Sequence, residues 1–218
     1  MKKFLAIALA ALMLFALAAC GGSGEKEAAV KLIDIQLSSE EYAFGVDKAQ
    51  PELLEKTNAF IEKILKDGTF DEICNKYLGD GTPEGVASAE KDATKDQLIV
   101  ATNAEFAPFE YLEGDLYYGI DMEVAALLAA ELGKELVIDN MDFDAVCLAV
   151  GQHKCDIAIA GLSINPDREE SVTFTTPYYK SAQKIIVKAD DTRFDACETA
   201  EDIEAVLATL PEGTKIGA

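Results

Sequence analysis

The 218 residues contain no tryptophan and one histidine, His153. A single imidazole removes the raw material for most His-based metal centres and for Ser/His/Asp catalysis. The five cysteines are irregularly spaced with no CxxC pair, which makes neither a disulfide framework nor a zinc site. Cys147 and Cys155 fall on apolar positions of an expected helix and strand and read as buried thiols, whereas Cys74 and Cys197 carry no signal. His153 sits in the polar turn Gly151 to Cys155, where no role is expected for it. Basic residues are scarce: 19 Lys and Arg stand against 40 Asp and Glu, a net charge of −21. That balance repels phosphate backbones and anionic lipid headgroups, which excludes nucleic acid as a partner and a polybasic hold on a membrane. With 50% hydrophobic residues and only 15 glycines and 6 prolines, the chain is neither disordered nor collagen-like. No motif asks for a cofactor.

One long apolar run is present, Phe4 to Ala19, directly after Lys2 and Lys3. A charged start, an apolar middle and small residues at the cut are the layout of a secretory signal, and the run is short for a membrane span. Its end, Leu17-Ala18-Ala19-Cys20, resembles the lipobox of bacterial lipoproteins, whose cysteine is acylated on sulfur before cleavage. Residues 1–19 are therefore expected to be a signal peptide and Cys20 the lipidation site, with two acyl chains sufficient for stable anchoring. Residues 20–30 read as a flexible tether rich in glycine, and the expected location is outside the cytoplasm, anchored to the cell membrane.

Residues 31–79 open on a β-rich stretch to Val46. Pro51 then starts a helix with Leu53, Leu54, Phe60, Ile61, Ile64 and Leu65 at helical spacing, and Gly68 ends it. A shorter helix over Asp71 to Tyr77 follows. Residues 80–96 have no apolar periodicity and read as a linker. Over 97–188 strands and helices alternate: strands at Leu98–Ala101, Leu136–Ile138, Asp156–Ala160 and Gln183–Lys188, and helices capped by Asp121, running Asp144 to Val150, and starting at Asn165-Pro166. This alternation predicts an α/β domain with a mainly parallel sheet and helices on both faces. Ligands of such sheets gather at the carboxyl ends of the strands.

Four segments near those ends carry a resemblance: Ala101–Tyr111 (ATNAEFAPFEY), Tyr118–Ala125 (YGIDMEVA), Met141–Val146 (MDFDAV) and Cys155–Tyr179 (CDIAIAGLSINPDREESVTFTTPYY). In order and spacing they resemble the extracytoplasmic solute-binding proteins of polar amino-acid ABC transporters, family 3, whose two lobes close on the ligand. The resemblance implies a lobe of the periplasmic-binding-protein type II fold. It also implies a ligand site at Asn103, Phe106, Phe143, Gly161, Ser163 and Arg168.

The chemistry of those residues suits an α-amino acid. Arg168 can meet a carboxylate with two parallel N–H bonds, near a helix start that also favours an anion. The Gly161 carbonyl and the Ser163 hydroxyl can accept from the ammonium, and Phe106 and Phe143 can pack on the two faces of the side chain. Asn103 stands where the family often has aspartate, so an uncharged polar or acidic amino acid is favoured. Glu105 and Glu110 could restore negative charge and admit a cationic one. Tyr178 and Tyr179 read as packing near the crossing between lobes.

Residues 39–79 resemble the family's closing strand and helices, which normally finish the chain. Here they come first, so a circular permutation joined by residues 80–96 is expected, with a tandem-duplication remnant as the competitor. The latter predicts a first segment that does not complete the lobe. Residues 189–218, including a helix with Ile203, Val206, Leu207 and Leu210 on one side, read as the start of a truncated second lobe, with a hinge at Ile185 to Lys188. A site with one lobe alone is expected to bind weakly. The function implied is a lipid-anchored receptor that hands an amino acid to an ABC permease. The rival readings are a dehydratase of the same fold, which would need a catalytic acid in the cleft where no perturbed carboxylate pair is expected, and a ligand-sensing module of a signalling system.

Overall fold

The computed structural model describes residues 29–215 and residue 217. The expected signal peptide, Cys20 and nearly all of the tether lie outside the described residues. The chain divides into two compact units, one of Gln36–Gln183 and one of the residues up to Ile35 together with those from Lys184 onward. In chain order the elements begin with β1 (Val30–Ile33), β2 (Glu40–Tyr42), β3 (Gly45–Asp47), α1 (Pro51–Asp67) and α2 (Thr69–Leu78). They continue with β4 (Gln97–Thr102), β5 (Glu105–Phe106), β6 (Glu110–Glu113), β7 (Leu116–Tyr118), α3 (Ile120–Glu131) and β8 (Glu135–Asn140). The last are α4 (Phe143–Gly151), β9 (Ile157–Ala158), α5 (Pro166–Glu169), β10 (Val172–Phe174), β11 (Tyr179–Ser181), β12 (Ile185–Lys188) and α6 (Ala200–Leu207).

The larger unit is α/β, built on a five-stranded sheet in the order β10-β3-β9-β4-β8. β4 runs parallel to both β8 and β9, as the strand–helix alternation predicts. β3 runs antiparallel to both its neighbours, β10 and β9, so the sheet is mixed. The reason is that β3 arrives from the first segment of the chain with no crossover helix from β9 to impose a parallel direction. Period-two alternation distributes the strands between two cores: Leu98 and Val100 of β4 face α1, α2 and α3, while Ile99 and Ala101 face α4. α1 presents Leu53, Thr57, Phe60, Ile61 and Ile64 inward, begins on Pro51 and stops at Gly68, whose φ of 87° ends the helix in the left-handed region. Phe44, Val46, Phe60, Ile61, Phe70 and Ile73 of the first segment join Leu98, Ile120, Met122 and Ile157 in one core.

Residues 80–96 run as a strap fastened by hydrogen bonds. Val86 exchanges two backbone bonds with Tyr117, at 2.7 and 2.9 Å. The Ala89 N–H donates to the Leu136 carbonyl at 2.9 Å, and the Ile138 N–H donates to Ser88 Oγ at 2.8 Å. Leu136 and Ile138 belong to β8, the last strand of the sheet, so the strap occupies polar groups that an uncovered edge would offer to another chain. Its start is pinned by Glu123, a buried carboxylate that accepts from Lys76 Nζ at 2.6 Å, Tyr77 OH at 2.7 Å and the Glu84 N–H at 3.2 Å.

Two expectations are corrected, one about a helix start and one about His153. Asp121 does not cap α3: the cap is Gly119, where a Cβ would come within 2.0 Å of the Phe109 carbonyl oxygen, and the Asp121 side chain turns into the core. His153 is also not idle, since its Nδ1 lies 2.7 Å from Oδ2 of the buried Asp47 and fastens β3 to the turn after α4. In the smaller unit, β1 pairs antiparallel with β12 from Val30↔Lys188 to Ile33↔Ile185. α6 begins in a capping box between Thr199 and Asp202 and buries Ile203, with Val206 and Leu207 half-buried. Among the described residues no helix is long and apolar enough to cross a membrane.

Candidate functional site

The three parallel strands end side by side, with Thr102 opposite Asn140 and Ala101 opposite Ala158. Every expected site residue follows one of these ends: Asn103 and Phe106 after β4, Phe143 after β8, and Gly161, Ser163 and Arg168 after β9. Cross-bonds hold the ends in place. Asn103 Nδ2 donates to the Met141 carbonyl at 2.9 Å, the Ala104 N–H to Asn140 Oδ1 at 2.8 Å, and the Ile159 N–H to the Ala101 carbonyl at 3.0 Å.

Phe106 is 44% exposed and stacks on the buried Phe109, ring centroids 5.6 Å apart, which fixes one face of its ring. Phe106 also lies against Gly161: a Cβ there would sit 3.0 Å from its Cε1, and the φ of 51° at Gly161 is one that L side chains rarely adopt. Both the conformation and the close approach favour glycine at 161. On the other side, Phe143 is 41% exposed and carries the Arg168 guanidinium 5.0 Å from its ring centroid. Arg168 Nη1 donates to the Ser163 carbonyl at 2.8 Å. One of five N–H donors is thus committed, and Arg168 forms no ion pair with any described residue. Contacts thus join Phe106 to Gly161, and Ser163 to Arg168 to Phe143, while Asn103 is tied to the β8 end through Met141.

Several details differ from expectation. α5 is a single turn, and the Arg168 N–H is already taken by Asn165 Oδ1 at 2.9 Å, so this helix start does not offer that N–H to an anion. An Asn103 amide N–H is used within the protein, and its oxygen accepts no hydrogen bond from the described residues. Glu105 is exposed, but Glu110 is fully buried and cannot reach a ligand.

One residue was not found from the sequence, Glu40, and two others, Asp121 and Glu110, take roles different from those read there. Glu40 Oε2 accepts from Ser163 Oγ at 2.8 Å, and its Oε1 accepts from Ser38 Oγ at 3.0 Å and Gln183 Nε2 at 2.7 Å. Nothing in the Glu40-Glu41 doublet marks it, because the pairing of Tyr42 with Ser163 that brings it here spans more than a hundred residues. Asp121 accepts from the Gly161 N–H at 2.8 Å and from Tyr178 OH at 2.6 Å. Glu110 lies beside it, and burial followed by the Asp121 charge raises its carboxyl far above the usual range. A perturbed carboxylate pair thus exists where none was expected. A cation and an anion flank Ser163, one on its carbonyl and one on its hydroxyl, with the exposed Phe143 ring against Arg168 and the exposed Phe106 ring against Gly161. That arrangement is complementary to a zwitterion with a side chain to pack. No cluster of metal-ligating side chains occurs among the described residues.

A family model described as bacterial extracellular solute-binding proteins, family 3, matches residues 98–217. The arginine-binding extracellular protein ArtP of Bacillus subtilis (strain 168) is 34% identical over 106 residues, which cover 49% of this chain and 42% of the relative. The cyclohexadienyl dehydratase of Pseudomonas aeruginosa is 30% identical over 119 residues, covering 54% of this chain and 44% of the relative. The chain thus spans less than half the length of these relatives. Among solved structures, an amino acid ABC transporter substrate-binding protein, AbpA from Streptococcus pneumoniae bound to L-arginine, is 43% identical over 38% of this chain and 37% of its own, with a TM-score of 0.36.

Proposed function

Since the chain belongs to the bacterial extracellular solute-binding proteins, family 3, we propose that it captures an α-amino acid outside the cytoplasm for delivery to an ABC importer. The observation that carries this reading is the pairing of Arg168 and Glu40 across Ser163, with Phe106 and Phe143 exposed beside them. Arg168 would take the α-carboxylate, Gly161, Ser163 and Glu40 the ammonium, and the two rings the side chain. Asn103 would reach the side-chain tip through its amide oxygen. Arginine is placed first as the ligand, on the strength of the relatives whose names carry it, and an aromatic face tolerates a cation. The neutral amide of Asn103 favours the second choice, an uncharged polar or acidic amino acid.

The cycle involves binding without chemistry. A dehydratase is the second reading, because one relative carries that name. Against it, the perturbed pair Glu110 and Asp121 is fully buried behind Gly161, where a substrate has no access. Membrane attachment through Cys20 belongs to the same proposal and is read by mass spectrometry of the exported protein.

The order of segments is read as a circular permutation, in which residues 31–79 complete the lobe formed by 97–188. Supporting it, β3 is an interior strand between β10 and β9, and α1 and α2 share the core with α3. Residues from 189 onward are read as the beginning of a second lobe.

The test is thermal: millimolar amino acids, one at a time, should raise the melting temperature by mass action, arginine most. Arg168→Ala should abolish the shift. No shift with any of the twenty, or an unchanged shift in the variant, overturns the assignment.

A further inference from the structure

A fully buried acidic pair stands behind the turn that faces the ligand. The turn leading into β6 and the first turn of α3 are laced together by the Ile120 N–H donating to the Pro108 carbonyl at 3.0 Å and the Asp121 N–H to the Phe109 carbonyl at 2.9 Å. This lacing brings the Glu110 carboxyl against that of Asp121, and both side chains are completely buried. Both oxygens of Asp121 are occupied by donors, the Gly161 N–H and Tyr178 OH. Neither oxygen of Glu110 has a partner of ordinary hydrogen-bond geometry among the described residues.

The other titratable groups around the pair are Tyr178 before β11, Tyr42 on β2 and Cys74 on α2. The Tyr178 hydroxyl is raised by burial and by Asp121, and burial pushes the Cys74 thiol up to about 11. No Lys, Arg or His acts on either carboxyl among the described residues. Two carboxylates without a cation in an apolar interior cannot both be charged. Glu110 is therefore the neutral member. Asp121 is also raised by burial, but less, because the Tyr178 hydroxyl and the Gly161 N–H both bond its charged form.

We propose that Glu110 and Asp121 share one proton and act as a positioning pair, Glu110 donating to Asp121 so that a charged Asp121 holds the Gly161 N–H. The left-handed turn at Gly161 is thereby fixed against the Phe106 ring, and the ligand's ammonium meets a preformed acceptor. The binding consequence rests on the amino-acid reading above; the proton sharing does not. Protonation of Asp121 would weaken its hold on Gly161, so affinity should fall on acidification. Removing the Glu110 donor makes Asp121 easier to protonate, which moves that fall to higher pH.

Three measurements test the pair on the full chain. Infrared difference spectra of wild type minus Glu110→Gln at neutral pH should contain the carbonyl band of a neutral carboxylic acid, and its absence overturns the proposal. Calorimetric titration with arginine across pH should place the fall in affinity at higher pH in Glu110→Ala than in wild type, with Glu110→Gln restoring the wild-type position because its amide still donates. Asp121→Asn should bind roughly tenfold more weakly, the scale of one charge-assisted bond. Coincident profiles for wild type and Glu110→Ala overturn the positioning role, which a purely structural role would also produce. If wild type binds none of the twenty amino acids, the amino-acid reading fails by itself. The Gly161 amide resonance, followed across pH in wild type, Glu110→Ala and Glu110→Gln, then decides the pair: the same displacement and rescue support it, and coincident titrations overturn it.

Discussion

Arg168 is held from two sides, its Nη1 donating to the Ser163 carbonyl at 2.8 Å and its guanidinium lying 5.0 Å from the centre of the Phe143 ring. The remaining donors therefore point from a fixed fork, and little side-chain freedom is left to lose when a carboxylate arrives. Phe143→Leu keeps an apolar contact but removes the ring face. Losing a cation–π contact of about 0.5–1 kcal/mol predicts arginine affinity lower by roughly two- to fivefold, read by calorimetry. Arg168→Lys should cost more, because a point charge cannot make the bidentate contact.

Glu110 also predicts a pH dependence of stability. Its folded pKa lies far above the unfolded one, so between the ordinary glutamic-acid range and the raised value the native state holds a proton that the unfolded chain releases. Stability from this group is complete below the unfolded pKa and declines as pH rises, by up to about 1.4 kcal/mol per unit. Asp47 acts in the opposite sense. Burial alone would raise it, but bonds from the Ala49 N–H, His153 and Gln50 lower it, so its contribution is present above the ordinary aspartate range and is lost as pH falls through the folded value. Urea titrations of wild type and Glu110→Gln should therefore diverge as pH rises from the ordinary glutamic-acid range, with the variant the more stable above it. Parallel profiles would show that Glu110 ionises normally.

The strap makes a local prediction. Ser88→Ala removes the side-chain acceptor bonded to the Ile138 N–H and leaves that group on a sheet edge. A loss of about 1 kcal/mol is expected. Amide exchange at Ile138 should accelerate while exchange at Val100, inside the sheet, changes only through global stability.

The permutation reading is tested by separating the segments. If residues 31–79 complete the lobe, that piece and residues 97–218, expressed as separate chains, should associate and give one cooperative unfolding transition. A second segment that folds alone and ignores the first would favour the duplication remnant. Loss of the strap's bonds to β8 and α3 should make the pair less stable than the joined chain.

The strands and helices could be read from the sequence because they depend on local periodicity and punctuation. Pro51 and Gly68 bound α1, and Leu98, Val100, Ile157 and Ile159 alternate inward. The same pattern puts the strand-end loops at one end of the parallel sheet, while the choice of Asn103, Phe106, Phe143, Gly161, Ser163 and Arg168 within those loops came from the family resemblance. Other features required contacts distant in sequence. Asp121 looked like a helix cap because a cap and a buried acceptor share the same residue type, and only the approach of Gly119 to Phe109 turns it inward. Glu40 reaches Ser163, and His153 reaches Asp47, across more than a hundred residues. The apolar pattern dictates which faces are buried. Which polar groups meet inside, and which of two acids keeps its proton, was decided only when tertiary packing excluded water and left each group the partners that the fold supplied.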